Sequence, residues 1–598
     1  MEYLVMKKLT LCFILSFLTL SLLYPARALA EEGTKLPSGI SRDQISQKIQ
    51  DFVKEHEKTT AGMATAVFDT NGTIYQDSFG YMDKEKGIKA DKDSVFEWGA
   101  VTKLTVWISV MQLWEEGKID LKEDIRTYLP EGFLKNLRFE KPITMLDLMN
   151  HQAGFDTIPN YLHGDKNLEE ILTFYQPIQS FEPGTVTANS NYGTGLASYI
   201  VERISGQSFS DYVHEHIFEP LKMNKTAILP DLSDNAFVQA KRKEAKGYDS
   251  EGKLLGSANS ELGLYSSGRA TGTLENLEKF AQTLLKKETL FHRPETWTTL
   301  YTATSTYPGT DIVRNAHGFW VSKYNVSVLG QGGHTFGFSS NLLLDLESGV
   351  GMIVMTNQSI EERYNLYMPE LVFGQRKTAS EVTKDRFSPG YYLSFRIFNS
   401  GPLSIAKIVP PFIDRLNSPN EDLLKDEFWT IDDSNGQTTL SLTSSDFKKI
   451  SDSELFTDYA VTGLGLLASL FALGNILCSI FRDISHLIWH KQKKTLPRSW
   501  KVWNYLTSLG IMAVPLQLLL VFQAVLKNDF SGVSSWRYMV FAILGLLLTL
   551  AVLLPIFKKS SEKLSRGHIC LTVLTSLSAL AVIANILYWS LYQWWVFQ

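Results

Sequence analysis

Hydrophobic positions change their spacing along this chain, and each change marks a boundary. Ile45, Ile49, Phe52 and Val53 recur at helical spacing, and Ser41 and Gln44 stand where a capping box would open that helix. Strand spacing follows at once. The runs Met63 to Phe68 and Ile74 to Tyr81 flank Asp69-Thr70-Asn71-Gly72, which predicts a hairpin. Leu342 to Leu346 and Val350 to Met355 flank Glu347-Ser348-Gly349 in the same way, and the pattern between the two hairpins is mainly helical. One sheet drawn from both ends of the segment, with helices inserted between, satisfies this pattern most economically.

The periodicity fades after residue 375. Residues 376 to 456 are polar and broken by Pro389, Pro402, Pro410, Pro411 and Pro419, and read as a linker or small subdomain. Four long apolar stretches follow within 457 to 598, at Tyr459 to Phe481, Trp503 to Leu526, Tyr538 to Phe557 and Ile569 to Leu591. Each is long enough to cross a hydrocarbon core of about 30 Å at about 1.5 Å per residue. The loop after the first carries Arg482, Lys491, Lys493, Lys494, Arg498 and Lys501, and that after the third carries Lys558, Lys559, Lys563 and Arg566. The positive-inside bias puts these two loops in the cytoplasm, so residues 31 to 456 and the C-terminus face outward. Acidic and basic residues are absent from the middle of the spans, which favours an anchor or partner-binding bundle over a transport path. Trp589, Tyr592, Trp594 and Trp595 read as an interfacial aromatic belt.

The N-terminus agrees with that orientation. Lys7 and Lys8, an apolar run from Leu9 to Leu23, and Ala28-Leu29-Ala30 have the form of a signal peptide over residues 1 to 30. The net charge of -5 and the lack of a Lys/Arg block before the spans argue against nucleic acid as a partner. The three cysteines are Cys12, Cys478 and Cys570, so residues 31 to 456 hold neither a disulfide nor a thiolate nucleophile. No metal-ligand spacing or cofactor motif stands out, and none is expected.

Candidate chemistry lies in ordered short motifs. Ala100-Val101-Thr102-Lys103 opens a long apolar helix; Ile143 to Phe155 contains Thr144, His151 and Gly154; Pro183-Gly184 precedes Asn189-Ser190-Asn191; Glu219 to Thr226 contains Pro220-Leu221-Lys222-Met223; and Gly330-Gln331-Gly332-Gly333 precedes Gly337-Phe338-Ser339-Ser340. In this order, over residues 41 to 375, they resemble the serine β-lactamase and penicillin-binding family, including class C β-lactamases, D,D-peptidases and related esterases. The resemblance implies an α/β (α+β) ectodomain, an antiparallel sheet flanked by helices, with a helical insert from about 120 to 260 and a cleft between the two parts. An all-α, four-helix transmembrane region completes the fold class.

The same resemblance implies which residues would act. The family's first motif is Ser-x-x-Lys, in which residues i and i+3 share a helix face so that the amine can take the hydroxyl proton. Here Ala100 stands at the serine position and Lys103 remains. The second motif is Tyr-x-Asn, and this chain keeps only Asn191, with Asn189 in the tyrosine's place. The third is Lys or His, then any residue, then Gly; Gln331 and Gly333 occupy it, and an amide is no base near neutral pH. His334-Thr335-Phe336 is the alternative alignment, without the glycine. Ser190, His334 and Thr335 are further pocket candidates. Thr102 sits about 200° around the helix from Ala100 and should face away. Lys103 could equally be a core-edge lysine paired by Asn191, and His151 reads as a structural histidine.

The expected function is a membrane-anchored, extracytoplasmic pseudoenzyme that binds a peptide, cell-wall or acyl-peptide ligand, as sensor, immunity factor or partner of another membrane protein. One alternative is an active serine peptidase or esterase in which Ala100 has been introduced for the natural serine. Another is a membrane transport component with an accessory domain. The architecture resembles membrane-bound peptidases that trim acylated prodrug peptides, and differs from them in having four helices rather than three.

Overall fold

The computed structural model describes residues 35–597 except 159–166, 257–262, 490–495, 527–534, 558–563 and the single positions 175, 380, 426 and 435. The signal-peptide reading and most of the basic-loop lysines lie outside the described residues.

A nine-stranded sheet organises the first 375 residues. Gly62–Asp69 pairs with Gly72–Asp83 on one side and with Val350–Thr356 on the other, and Phe338–Asp345, Ser327–Thr335, Phe319–Lys323 and Val313–Ala316 follow in order. All these pairings are antiparallel, so the two hairpins read from sequence meet at the centre of one sheet. Asp69 closes the first hairpin, its carboxylate accepting from the N–H of Asn71 at 2.7 Å and of Gly72 at 3.1 Å.

Helices cover both faces of the sheet. Ile45–His56 packs Ile45, Ile49 and Val53 on Met63, Val67 and Met352, and Leu274–Lys286 packs on the opposite face. The first helix starts differently from the sequence reading. Arg42–Gln44 is a 3-10 turn, and the Ser41 hydroxyl donates to the Asp43 carboxylate instead of capping. A full capping box does form at Met145–Met149, between Thr144 and Asp147. The helix Lys103–Glu115 is buried on nearly every side, as an apolar surface all round requires.

Residues 376–456 form more than a connection. Ile413–Leu416, Gly390–Ser394, Asp446–Ile450, Thr439–Ser441 and Thr430–Asp432 make a five-stranded sheet with a core around Tyr392, Trp429 and Leu440. One anchor to the larger domain is a buried ion pair, Arg314 to Asp446 at 2.8 Å, with the Arg314 side chain also donating to the carbonyls of Thr443 and Leu442.

Four long apolar helices close the chain: Asp452–Trp489, Arg498–Leu526, Ser535–Phe557 and Arg566–Tyr588. Their outer surface exposes Leu466, Leu470, Leu546 and Phe557, an apolar surface that suits lipid and not water. Inside, Asn475 donates to Asn504 at 2.9 Å and to Ser508 at 3.0 Å, and Thr575 donates to Asn504 at 3.0 Å. Side-chain amides and hydroxyls bonded in this way tie helices together where water is absent. Trp589 departs from the aromatic-belt reading. It is buried, its indole donates to Thr462 at 3.1 Å, and its carbonyl accepts from Ser404 of the small subdomain.

Candidate functional site

The cleft is built where three segments converge. Gly99, in the left-handed region at φ 52°, turns the chain from strand Val95–Glu97 into the 3-10 turn that carries Ala100. Below it, Glu97 is wholly buried between Arg242 at 2.8 Å and Arg269 at 3.1 Å. Burial alone would raise this carboxyl, but the two guanidiniums outweigh it and hold its pKa below the ordinary carboxylate value. Gly333 lets the strand Ser327–Thr335 lie directly against this turn, since a Cβ there would sit 2.1 Å from the Trp98 carbonyl and 2.7 Å from the Ala100 nitrogen. The Ser340 hydroxyl locks the contact by donating to the Trp98 carbonyl at 2.6 Å.

The resulting cavity has a volume of about 400 Å³ and brings together Ala100, Lys103, Asn189, Asn191, Gln331, His334 and Thr335. Gly333 lies beneath it as the contact glycine. Ser190 lines a smaller adjoining recess, where its hydroxyl caps the helix Asn191–Ser205 by accepting from the Gly193 N–H at 3.0 Å.

Lys103 is fully buried, and its Nζ donates to the Asn191 side-chain oxygen. Burial, and then the neighbouring Arg396 charge, lower its pKa to about 7, so a substantial fraction of the amine is neutral near physiological pH. A neutral amine is a competent base, yet the position one helical turn before it offers only the Ala100 methyl group. The Thr102 hydroxyl is no substitute, because it donates to Gly99 O at 2.7 Å and accepts from the Ala270 N–H at 3.1 Å within the core. Gln331 donates to Gly332 O at 2.9 Å, while its side-chain oxygen and that of Asn189 are buried without a partner among the described residues.

His151 is structural in its contacts. Its Nδ1 accepts from the Ser190 N–H at 3.1 Å, and its ring stacks on Trp320 at 5.3 Å. Burial, Lys103 and Arg396 hold its pKa well below the usual value, so it stays neutral. His334 meets the Ser339 hydroxyl at 2.9 Å through Nδ1. That hydroxyl donates its own proton to Gln358 O at 2.8 Å, so Nδ1 of His334 carries the hydrogen.

The sequence reading missed one wall. Thr187–Asn189 runs alongside Ser444–Asp446 of the small subdomain, with Asn189 N–H donating to Ser444 O at 3.1 Å and Asp446 N–H to Thr187 O at 2.8 Å. This places Glu427, Phe428, Thr443, Ser444 and Arg396 around the cavity, all from beyond residue 376.

A site at the start of a buried helix, between a helical insert and an inner strand of an antiparallel sheet, is that of a serine β-lactamase-like fold. The beta-lactamase family model matches residues 45–376, more than half of this 598-residue sequence, and the chain belongs to that family. It is 26% identical over 213 residues to a teichoic acid D-alanine hydrolase of Staphylococcus aureus, a match covering 35% of this chain and 49% of that protein. It is 28% identical over 178 residues to penicillin-binding protein 4 of Amycolatopsis lactamdurans, covering 29% and 46%. The chain thus spans about half the length of the curated relatives it matches. Among solved structures, an octameric penicillin-binding protein homologue from Pyrococcus abyssi aligns at 18% identity and TM-score 0.47, over 68% of this chain and 99% of that one. A D-amino acid amidase from Ochrobactrum anthropi aligns at 21% identity and TM-score 0.47, over 55% and 97%.

Proposed function

We propose that the protein is a catalytically impaired member of the β-lactamase family, held in the cell membrane by its four helices with the large N-terminal domain outside. Its cleft binds a peptide, cell-wall or acyl-peptide ligand without turning it over, and serves as a sensor, immunity factor or partner of another membrane protein. The observation that carries this reading is the buried Lys103 amine, lowered to a pKa of about 7 and bonded to Asn191, beside an alanine where a nucleophile would stand. Acyl transfer needs that nucleophile, and a base without one has nothing to activate. Asn189 and Gln331 offer amides where proton shuttles would be needed. The similarity to a teichoic acid D-alanine hydrolase favours a cell-wall ligand.

The contacts to the bundle support a sensing role. From Arg396 in the cleft, the chain runs through Asn399, which makes two bonds of 2.8 Å to Asp156, to Ser404 on the Trp589 carbonyl and Ile408 on Tyr459. A ligand that shifts this segment would press on the first and last membrane helices.

Exposure of the native chain to a fluorescent penicillin or fluorophosphonate tests the reading. No covalent adduct is expected. An adduct that maps to a cleft residue would overturn it.

A further inference from the structure

Arg396 is the cleft's unexplained charge. It lies beyond the stretch that matches the family, its guanidinium makes no ion pair or hydrogen bond among the described residues, and it lines both the main cavity and the recess beside Ser190. Its backbone is fixed on both sides: Phe395 N–H donates to Asp446 O at 3.0 Å, its own N–H to the Ser394 hydroxyl at 3.0 Å, and Thr157 N–H to Ile397 O at 3.1 Å. The anchored backbone fixes the point from which this side chain enters the cavity. Lys103 lines the same cavity, and the Arg396 charge adds to burial in lowering its pKa. The other charged residues around the cavity are Lys323, Arg376, Lys377 and Glu427, so cations outnumber carboxylates among the described lining residues.

Two cations facing one partly desolvated cavity repel, and that cost is relieved when the amine gives up its proton or when an anion joins them. We propose that Arg396 and Lys103 form an anion subsite that takes a carboxylate or phosphate group of the ligand. The guanidinium's paired N–H donors suit either group, and the lysine adds a point charge. The subsite belongs jointly to the family domain and the small subdomain, which gives the latter a direct part in recognition. Filling it would also draw a proton onto Lys103 near neutral pH, while His151 stays neutral against its Ser190 N–H.

This inference rests on the reading that the cleft binds without turnover, but it fails separately: hydrolysis by the native chain would remove that reading and leave anion binding intact. Calorimetry on the full-length protein in nanodiscs, with N-acetyl-D-alanine and glycerol 3-phosphate as probes and N-acetyl-D-alaninamide and glycerol as their uncharged counterparts, is the test. At least one anionic probe should bind and its counterpart should not, and whichever anion binds more tightly identifies the source of the group. Arg396→Gln should weaken binding by about tenfold or more, as loss of a charge-assisted bond implies, and Arg396→Lys should retain part of it. Binding should also take up protons at pH 7.5, seen as a heat that varies with the buffer's ionisation enthalpy. Equal binding of charged and uncharged probes, no binding at millimolar concentration, or undiminished binding by a folded Arg396→Gln protein would overturn the proposal.

Discussion

The family domain and the small subdomain that follows it differ in how they are held and in what they give the cleft. Residues 45–376 carry a two-faced core, with helices packed on both sides of a nine-stranded sheet. Residues 376–456 carry strands of three to five residues around a few large side chains, and depend on their neighbour for support. The first region supplies Ala100, Lys103, Asn189, Asn191 and Gln331 to the cavity. The second has no counterpart among the motifs, yet supplies Arg396 and the strand beside Asn189. The lining of the cavity thus comes partly from outside the family's motifs.

The dependence of the subdomain on Arg314 allows the sharpest break. Arg314→Met leaves Asp446 buried without its charge partner and should cost about 3–5 kcal/mol, seen as a lower midpoint in denaturant and faster proteolysis within 390–450. Arg314→Met with Asp446→Leu should recover part of that loss, because no lone charge then remains. If the single change is silent, the two regions are not coupled through this pair.

A smaller effect, confined to the family domain, is expected at the cleft floor. Gly333→Ala puts a methyl group against the Trp98 carbonyl and should destabilise by about 1–3 kcal/mol, measurable by thermal unfolding. Gly332→Ala, where the nearest atoms would be 3.9 Å away, is the control and should be nearly neutral.

Lys103 gives a pH dependence whose sign is fixed. Its folded pKa of about 7 lies below the ordinary 10.5, so between these values the unfolded chain binds more protons. Stability should therefore rise with pH across that window, by at most about 1.4 kcal/mol per pH unit from this group. Lys103→Met should flatten the rise. An unchanged slope would mean that the amine is not held in a desolvated site. The smallest expected effect is none: a reducing agent should not move the melting point of the domains before residue 456, since Cys478 and Cys570 are unpaired and lie in the apolar C-terminal helices.

Much of the fold was legible because its signals are local. The two hairpins, the helical insert and the apolar helices follow from spacing within a few residues, and Ala100, Lys103, Asn191 and Gln331 could be placed through ordered motifs. The strands within residues 376–456, read as a linker or small subdomain, were not, because Pro389, Pro410, Pro411 and Pro419 read as breaks, while strands such as Thr430–Asp432 are too short to show an alternating pattern. Gly390–Ser394, with Tyr391 and Leu393 alternating before Arg396, was the one available signal. The capping box failed at Ser41, where a carboxylate two residues on competes for the hydroxyl. Trp589 was misread because aromatic residues at a helix end look the same whether they meet lipid or a packed subdomain.

The central claim is that this cleft lacks turnover because its catalytic unit is incomplete, and rebuilding that unit tests it most directly. Burst and steady-state hydrolysis of one activated ester should be compared for the native chain, Ala100→Ser, and Ala100→Ser combined with Asn189→Tyr and Gln331→His. The native chain should give neither burst nor turnover. The single variant should acylate slowly, since Lys103 is in place to take the serine proton, but release product poorly. The triple variant should turn over much faster than the single one, because groups that act as a unit are not additive. Appreciable turnover by the native chain would contradict the claim, and full activity from Ala100→Ser alone would show that the alanine is its only defect.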